Sequence, residues 1–147
     1  MQKDSTGYKN LRRNRISVPG SIYHITSVTR DRIPIFGNFA NARKLIKILA
    51  AEQEHESVDI LCFCVMPDHF HWLFQLQKGE LSRLVKRVKS KTTRAIESQI
   101  WQQGYYDHHL RSDESLITVS RYIVANPIRS ELVAHIGDYP HWYTKWL

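Results

Sequence analysis

Two histidines separated by one residue, His69 and His71, lie within the apolar and aromatic segment VMPDHFHWLFQL. In a β-strand, residues two apart point to the same face of the sheet, so these imidazoles would stand side by side. Phe70, Trp72 and Phe74 would then share the opposite face, which has the composition of a protein core. Because imidazole is a common metal ligand, the pair is a candidate for one edge of a metal site.

A metal site needs further ligands, and the sequence offers two sources for them. Cys62 and Cys64 precede the histidines on a predicted neighbouring strand and would suit zinc. Tyr122 and Asn126 are spaced four residues apart in RYIVANPIRSELV, which would place a phenol and an amide on one helix face. Plainer interpretations remain open: histidines on a solvated face, reduced core thiols, and a packed tyrosine followed by a capping asparagine.

The strands that would position these residues follow from the hydrophobic pattern. We predict a strand at about residues 21–29 and an apolar strand at 57–66. HFHWLFQLQ would be the hairpin partner of the second strand across a Pro-Asp turn, and a shorter strand would follow Trp101.

Three helices are predicted between and after the strands. The first begins after an Asn38 cap, and the second runs from Leu81 to about residue 100. The third covers ESLITVSRYIVAN, with Ser112 or Asp113 as its cap, and a helical turn and an aromatic tail follow it. This order matches a ferredoxin-like βαββαβ fold of the α+β class. The antiparallel sheet would carry helices on one face, and an added C-terminal helix would carry the tyrosine.

The charge balance indicates a polyanionic partner. The 147 residues include 21 Lys and Arg against 14 Asp and Glu, a net charge of +7, which favours nucleic acid first and an anionic membrane second. We predict a basic N-terminal arm over residues 1–18 and a single domain over 19–147. No apolar stretch reaches the ~18 residues of a membrane span, and there is no signal peptide, so a cytoplasmic protein is expected.

Candidate DNA contacts are found in the arm and on the second helix. Arg12, Arg13 and Arg15 could enter a groove or contact a single-stranded segment. One side of the second helix is predicted to meet phosphates, with a solvated face as the alternative; its residues are Lys86, Lys89, Lys91 and Arg94. Trp101, Tyr105 and Tyr106 could stack on bases or anchor the core.

Several segments together resemble a known family. HFHWLFQL resembles the histidine–hydrophobic–histidine (HUH) motif, and RYIVANPIRSELV resembles the tyrosine helix of the single-tyrosine HUH transposases. VPGSIYHITSVTRDRIPIF, CVMPDHFHWLF, LVKRVKSKTTRAI and WQQGYYDHHLR occur in the order typical of the REP-associated tyrosine transposases. REP denotes a repetitive extragenic palindrome, and nearly the whole chain takes part in the resemblance.

The resemblance implies metal-dependent cleavage and joining of single-stranded DNA beside REP-type hairpins, through a 5′-phosphotyrosine. Tyr122 would be the nucleophile, and His69, His71 and Asn126 would hold Mg²⁺ or Mn²⁺. It also implies a monomer with no nucleotide cofactor. The general base stays open among four residues: His24, Asp107, His108 and His109. Two alternatives remain: a catalytically silent hairpin-binding protein of the same fold, and a zinc-containing RNA-binding module.

Overall fold

The described part of the chain, residues 17–146 of a computed structural model, contains five strands and four α-helices. The predicted arm residues Arg12, Arg13 and Arg15 lie outside this range. In chain order the elements are β1 (Ile22–Val28), α1 (Phe39–Glu54), β2 (Val58–Met66), β3 (His69–Leu76), α2 (Leu81–Ile96), β4 (Tyr106–His109), α3 (Leu116–Val124), α4 (Asn126–Arg129) and β5 (Trp142–Thr144).

The strands form one sheet in the order β4-β1-β3-β2-β5, and each neighbouring pair is antiparallel. The predicted α+β class, with its antiparallel sheet and the element order βαββαβ, is therefore confirmed. The edge strand β5 was not predicted. It has three residues and pairs with β2 through Trp142 and Thr144. Three residues are too few for an alternating hydrophobic pattern to indicate a strand.

The register of β3 separates a core face from a polar face. Tyr23 and Ile25 of β1 stand opposite Phe74 and Trp72, and all four side chains are completely buried. This face packs beneath α1 and α2, which contribute Leu45, Leu49, Leu84 and Val88 to the same core. The alternate residues of β3, including both histidines, must therefore point to the other side of the sheet.

The other side of the sheet is partly covered by α3. Ile123 of α3 is completely buried in a second cluster with Leu73, Cys62 and Cys64. Leu73 follows His71 by two residues on β3, so α3 packs on the histidine face. The fold thus has two helices on one face and the tyrosine-bearing helix on the opposite one.

Two predicted helix boundaries are wrong. Helix α2 ends at Ile96 rather than near residue 100, because Glu97 adopts a left-handed conformation with φ of 61°. The chain then turns back, and Ile100 enters the core. Helix α3 is capped by Ser115, whose Oγ accepts from the amide of Thr118 at 3.1 Å, rather than by Ser112 or Asp113.

The Asn38 cap of α1 is confirmed, because the side chain of Asn38 accepts a hydrogen bond from the amide of Asn41 at 3.0 Å.

One buried ion pair joins α1 to α2. Glu52 is 1% exposed, and its two carboxylate oxygens accept from Arg87 Nε at 2.8 Å and from Arg87 Nη2 at 2.6 Å. Burial alone would raise the pKa of Glu52, but the bonds and charge of Arg87 outweigh it and hold the pKa below 4.5. The pair therefore stabilises the fold in its ionised form.

We expect Glu52→Gln to lower the free energy of unfolding by about 2 kcal/mol at pH 7, because a bidentate charged contact is lost while half-exposed Arg87 can rehydrate. A group whose pKa is depressed on folding stabilises fully above its unfolded pKa and loses that contribution as the pH falls. The difference from wild type should therefore shrink below pH 4.5. Urea unfolding at several pH values measures it.

Glu80→Gln is the matched control, since Glu80 pairs with Arg83 on the exposed surface of α2 at 3.2 Å. Its effect should stay below about 0.5 kcal/mol at all pH values. Equal effects of the two substitutions would contradict a special role for the buried pair.

Candidate functional site

The two histidines of β3 stand next to each other on the sheet face that carries α3. Their ring centroids are 5.0 Å apart and the rings are nearly perpendicular, at 88°. Both side chains are partly buried, and each has a hydrogen-bond partner at Nδ1. Such an arrangement leaves the two Nε2 atoms for a shared ligand.

Asp68 orients the ring of His69. Its Oδ1 lies 2.7 Å from Nδ1 of His69, and its Oδ2 accepts from Arg32 at 3.3 Å. Burial would raise the pKa of Asp68, but the contacts with His69 and Arg32 are stronger in sum and lower it. A carboxylate on Nδ1 holds the proton there and directs the lone pair of Nε2 outward, as in many metal-binding histidines.

His71 is held by β1. Its Nδ1 lies 3.0 Å from both Nε2 of His24 and Oγ1 of Thr26. Burial, followed by the charges of His24, His69 and Arg129, lowers the pKa of His71 to about 3. Burial and His108 lower the pKa of His24 to about 4. His71 and His24 are therefore neutral at pH 7, and the neutral form of imidazole is the one that binds cations.

The spacing of Asn126 from Tyr122 suggested that both lie in one continuous helix. In the structure, Asn126 instead stands at the junction of α3 and α4. Pro127 has no N–H for the carbonyl of Ile123, and Nδ2 of Asn126 donates to that carbonyl at 2.8 Å. In the described part of the chain no donor bonds to Oδ1 of Asn126. The amide nitrogen is therefore anchored, and the amide oxygen is available to a ligand.

Tyr122 projects from α3 with 60% of its surface exposed. The guanidinium carbon of Arg129 lies 3.9 Å from the centre of its ring. Arg129 lies seven positions after Tyr122, on α4, so the contact spans the junction between α3 and α4. Because the charge of Arg129 also acts on His71, Arg129 connects the neighbourhood of Tyr122 with that of the histidines.

The alternative zinc site is not supported by the environment of the cysteines. Both thiols are completely buried, and burial raises the pKa of Cys62 to about 11 and that of Cys64 to about 12. Within residues 17–146 no group of three or more His, Cys, Asp and Glu side chains is arranged to hold a metal. These cysteines are protonated core residues, as the plainer interpretation of the sequence held.

Part of the predicted basic side of α2 faces a groove of about 630 Å³ beside residues 99–105. Lys86, Lys89 and Arg94 line it, but Nζ of Lys89 donates to the carbonyls of Gln102 at 3.0 Å and Gly104 at 2.7 Å. Lys91 departs from the expected alignment, since its Nζ lies 3.8 Å from Glu52. Positions 86 and 91 are about 140° apart around a helix, which explains the difference.

The three aromatic candidates for base stacking differ in exposure. Trp101 packs against Phe36 and Phe70, and Tyr105 is 6% exposed, so both anchor the core. Tyr106 is 52% exposed and stands opposite Thr26 in the register of β1 and β4. It therefore shares the sheet face of the histidines.

The candidate general bases divide between the two faces. His24 and His108 are register partners on the histidine face, and His108 also contacts Glu114 at 3.0 Å. Asp107 and His109 stand opposite Ile25 and Tyr23, on the face of the helices α1 and α2. His24 and His108 are therefore the candidate bases on the same sheet face as the candidate site.

Three residues of the site were missed by the motif analysis: Asp68, Thr26 and Arg129. A signal existed for two of them. Asp68 directly precedes the first histidine in the turn, and Arg129 follows Tyr122 at a spacing of two helical turns. Thr26 is brought to His71 only by strand pairing.

Two known proteins are similar to this chain in sequence. The chain is 26% identical over 144 residues to a Haemophilus influenzae protein described as a REP-associated tyrosine transposase, covering 83% of this chain and 78% of the relative. It is 27% identical over 85 residues to the Escherichia coli K12 REP-associated tyrosine transposase, covering 56% of this chain and 52% of the relative.

Two solved structures share the fold. One is a REP-associated tyrosine transposase bound to a REP hairpin, with a TM-score of 0.72, 23% identity, and coverage of 88% of this chain and 79% of the other. The second, from Deinococcus radiodurans and also described as a transposase, has a TM-score of 0.55 and 21% identity over 75% of this chain and 93% of the other.

A family model matches most of the chain. The model of the IS200-like transposases matches residues 17–126, which is well over half of the chain and includes β3 and α3. The protein therefore belongs to the IS200-like transposase family, with REP-associated tyrosine transposases among its relatives.

Proposed function

We propose that this protein cleaves and rejoins single-stranded DNA beside REP-type hairpins, with Tyr122 as nucleophile and with His69, His71 and Asn126 as ligands of a divalent cation. Membership of a transposase family implies DNA cleavage and strand transfer in general. A structural relative is bound to a REP hairpin, which supports a hairpin as the partner here as well. The sequence relatives come from bacteria, where a protein that acts on chromosomal DNA works in the cytoplasm, and we propose the same location for this protein.

The observation that carries the proposal is the convergence on one sheet face. The neutral His71, the oriented His69 and the helix that bears Tyr122 all lie on the side opposite α1 and α2. Arg129 of the same chain contacts the Tyr122 ring, and its charge acts on His71. This supports action as a monomer.

The residues suit a transesterification. A bound Mg²⁺ or Mn²⁺ would offset the negative charge of the phosphate that repels a nucleophile. The Tyr122 oxygen would form a bond to phosphorus while the bond from phosphorus to the 3′ oxygen breaks, which leaves a 5′-phosphotyrosine and a 3′-OH. The phenolic proton passes to a base or to solvent, and the leaving oxygen takes up a proton. Because one phosphodiester replaces another, rejoining requires no nucleotide cofactor.

We expect Tyr122→Phe to abolish the covalent protein–DNA adduct with little change in DNA affinity, since only the attacking oxygen is removed. The substrate is a single-stranded oligonucleotide that contains the palindromic repeat nearest the gene, incubated with Mn²⁺. Denaturing gel electrophoresis detects the adduct, and fluorescence anisotropy measures the affinity.

Tyr143→Phe is the matched control, because Tyr143 is also an exposed tyrosine, on β5, and should keep the adduct. An adduct that persists in Tyr122→Phe would disprove the assigned nucleophile. Binding without an adduct in the wild-type protein, across several hairpins and metals, would favour the catalytically silent alternative.

We expect Asp68→Asn to weaken Mn²⁺ binding roughly 10- to 100-fold, because the amide no longer holds the proton of His69 on Nδ1. Titration followed by electron paramagnetic resonance measures free Mn²⁺ without requiring activity. Asp59→Asn removes an exposed carboxylate of β2 that lies 3.9 Å from Lys145, and it should leave the affinity unchanged. Unchanged Mn²⁺ binding in both Asp68→Asn and His71→Ala would show that the metal is bound elsewhere.

For the basic groove, we expect Lys86→Ala and Arg94→Ala each to weaken DNA binding without altering sequence preference. Each should reduce the slope of log affinity against log salt concentration by about 1, as the loss of one phosphate contact predicts. Lys91→Ala, on the side of α2 that faces Glu52, is the control and should keep the slope. A change in preference among hairpins would mean that this side of α2 contacts bases.

A further inference from the structure

Arg129 is placed at the candidate site without any part in the chemistry assigned so far. Its guanidinium stacks on the ring of Tyr122, with 3.9 Å between the guanidinium carbon and the ring centre. Because this cation–π contact lies on an exposed tyrosine, it restricts a side chain that would otherwise sample several rotamers. Arg129 therefore influences where the phenolic oxygen stands.

A guanidinium that stacks on a ring can still donate hydrogen bonds from its edge. A guanidinium carries five N–H donors in its plane, and a ring contact occupies its flat face. Among residues 17–146, no carboxylate lies within ion-pair distance of Arg129. The donors are therefore available to an anion that approaches the phenol.

The surroundings favour an anion over another cation. Arg129 is an exposed residue of α4 that contacts the ring of Tyr122, and its charge acts on His71. A phosphate oxygen has the geometry that a guanidinium binds best, through two parallel N–H donors. The phosphate attacked by Tyr122 would lie within reach of the same group.

We propose that Arg129 has two tasks in the same step: its flat face positions the Tyr122 ring, and its N–H edge binds the phosphate that Tyr122 attacks. This inference rests on the proposed function. It assigns a positioning and phosphate-binding role to a residue outside the metal ligands and the nucleophile. The competing explanation is a stack that merely stabilises the end of α3.

The first experiment measures single-turnover adduct formation with saturating oligonucleotide. Arg129→Gln should slow the reaction about 100-fold, the typical loss when one preorganised donor to a reacting group is removed. Affinity for a hairpin that lacks the cleaved phosphate should stay the same. Arg129→Lys keeps the charge without the planar stack and should react at an intermediate rate. Arg121→Gln is the control, because Arg121 is an exposed arginine of α3 next to Tyr122 in the chain. This variant should react like wild type.

The second experiment separates phosphate binding from structural support. A methylphosphonate, which is neutral, replaces the mapped cleaved phosphate, and binding is measured with EDTA so that no metal contributes. Tyr122→Phe, which keeps the ring for stacking, should prefer the phosphodiester over the methylphosphonate. The double variant Tyr122→Phe/Arg129→Gln should lose most of that preference, and circular dichroism should show that it is folded.

The outcomes distinguish this inference from the proposed function. If wild type forms no adduct, the proposed function fails and the role of Arg129 falls with it. If wild type reacts and Arg129→Gln reacts equally fast, only the Arg129 inference is overturned. A slow Arg129→Gln variant that keeps the full phosphodiester preference would also overturn it, because the stack would then be structural alone.

Discussion

The central strand β3 imposes the constraint on which the rest of the site depends. It lies between β1 and β2, and the helices α1 and α2 cover one of its faces, where Phe70, Trp72 and Phe74 are buried. Because side chains alternate, the histidines must then emerge on the other face. A shift of one residue in register would place imidazoles in an aromatic core and aromatics on the open side, so the hydrophobic energy of the core determines where the candidate ligands stand.

Strand pairing also provides the groups that hold the histidines. Thr26 and His24 reach Nδ1 of His71 because β1 runs antiparallel to β3 in the observed register. Asp68 reaches His69 because it ends the tight turn before β3. Each imidazole is thus oriented by a partner on the side away from Nε2, and burial keeps His71 neutral. The same backbone pairing therefore builds the fold and prepares the ligands.

Helix α2 illustrates how one amphipathic element serves two surfaces. Its apolar stripe packs on the sheet, and on one flank Arg87 and Lys91 meet the buried carboxylate of Glu52. On the other flank Lys86 and Arg94 border the groove, while Lys89 closes the loop at 102–104. A run of basic residues in one helix is therefore divided between internal support and a surface suited to phosphates.

The amino-acid sequence by itself determined the class of fold, the alternation that separates the histidines from the core, and the spacing of Tyr122 and Asn126. These are local properties, since each depends on the period of one strand or one helix. It did not determine the ends of α2 and α3, because a left-handed Glu97 and a turn held by Glu114 outweigh helical periodicity there. The sequence pattern also did not predict the edge strand β5, which has only three residues.

Only the tertiary structure decided which distant groups meet. Thr26 and His24 come to His71 across about 45 residues of chain, and Glu52 comes to Arg87 across 35, through strand register and helix packing that no short segment encodes. It also placed Lys91 away from the groove, the thiols of Cys62 and Cys64 in the core, and Arg129 on Tyr122. Such contacts depend on the angles at which whole elements pack, and those angles follow from the complete core rather than from any single motif.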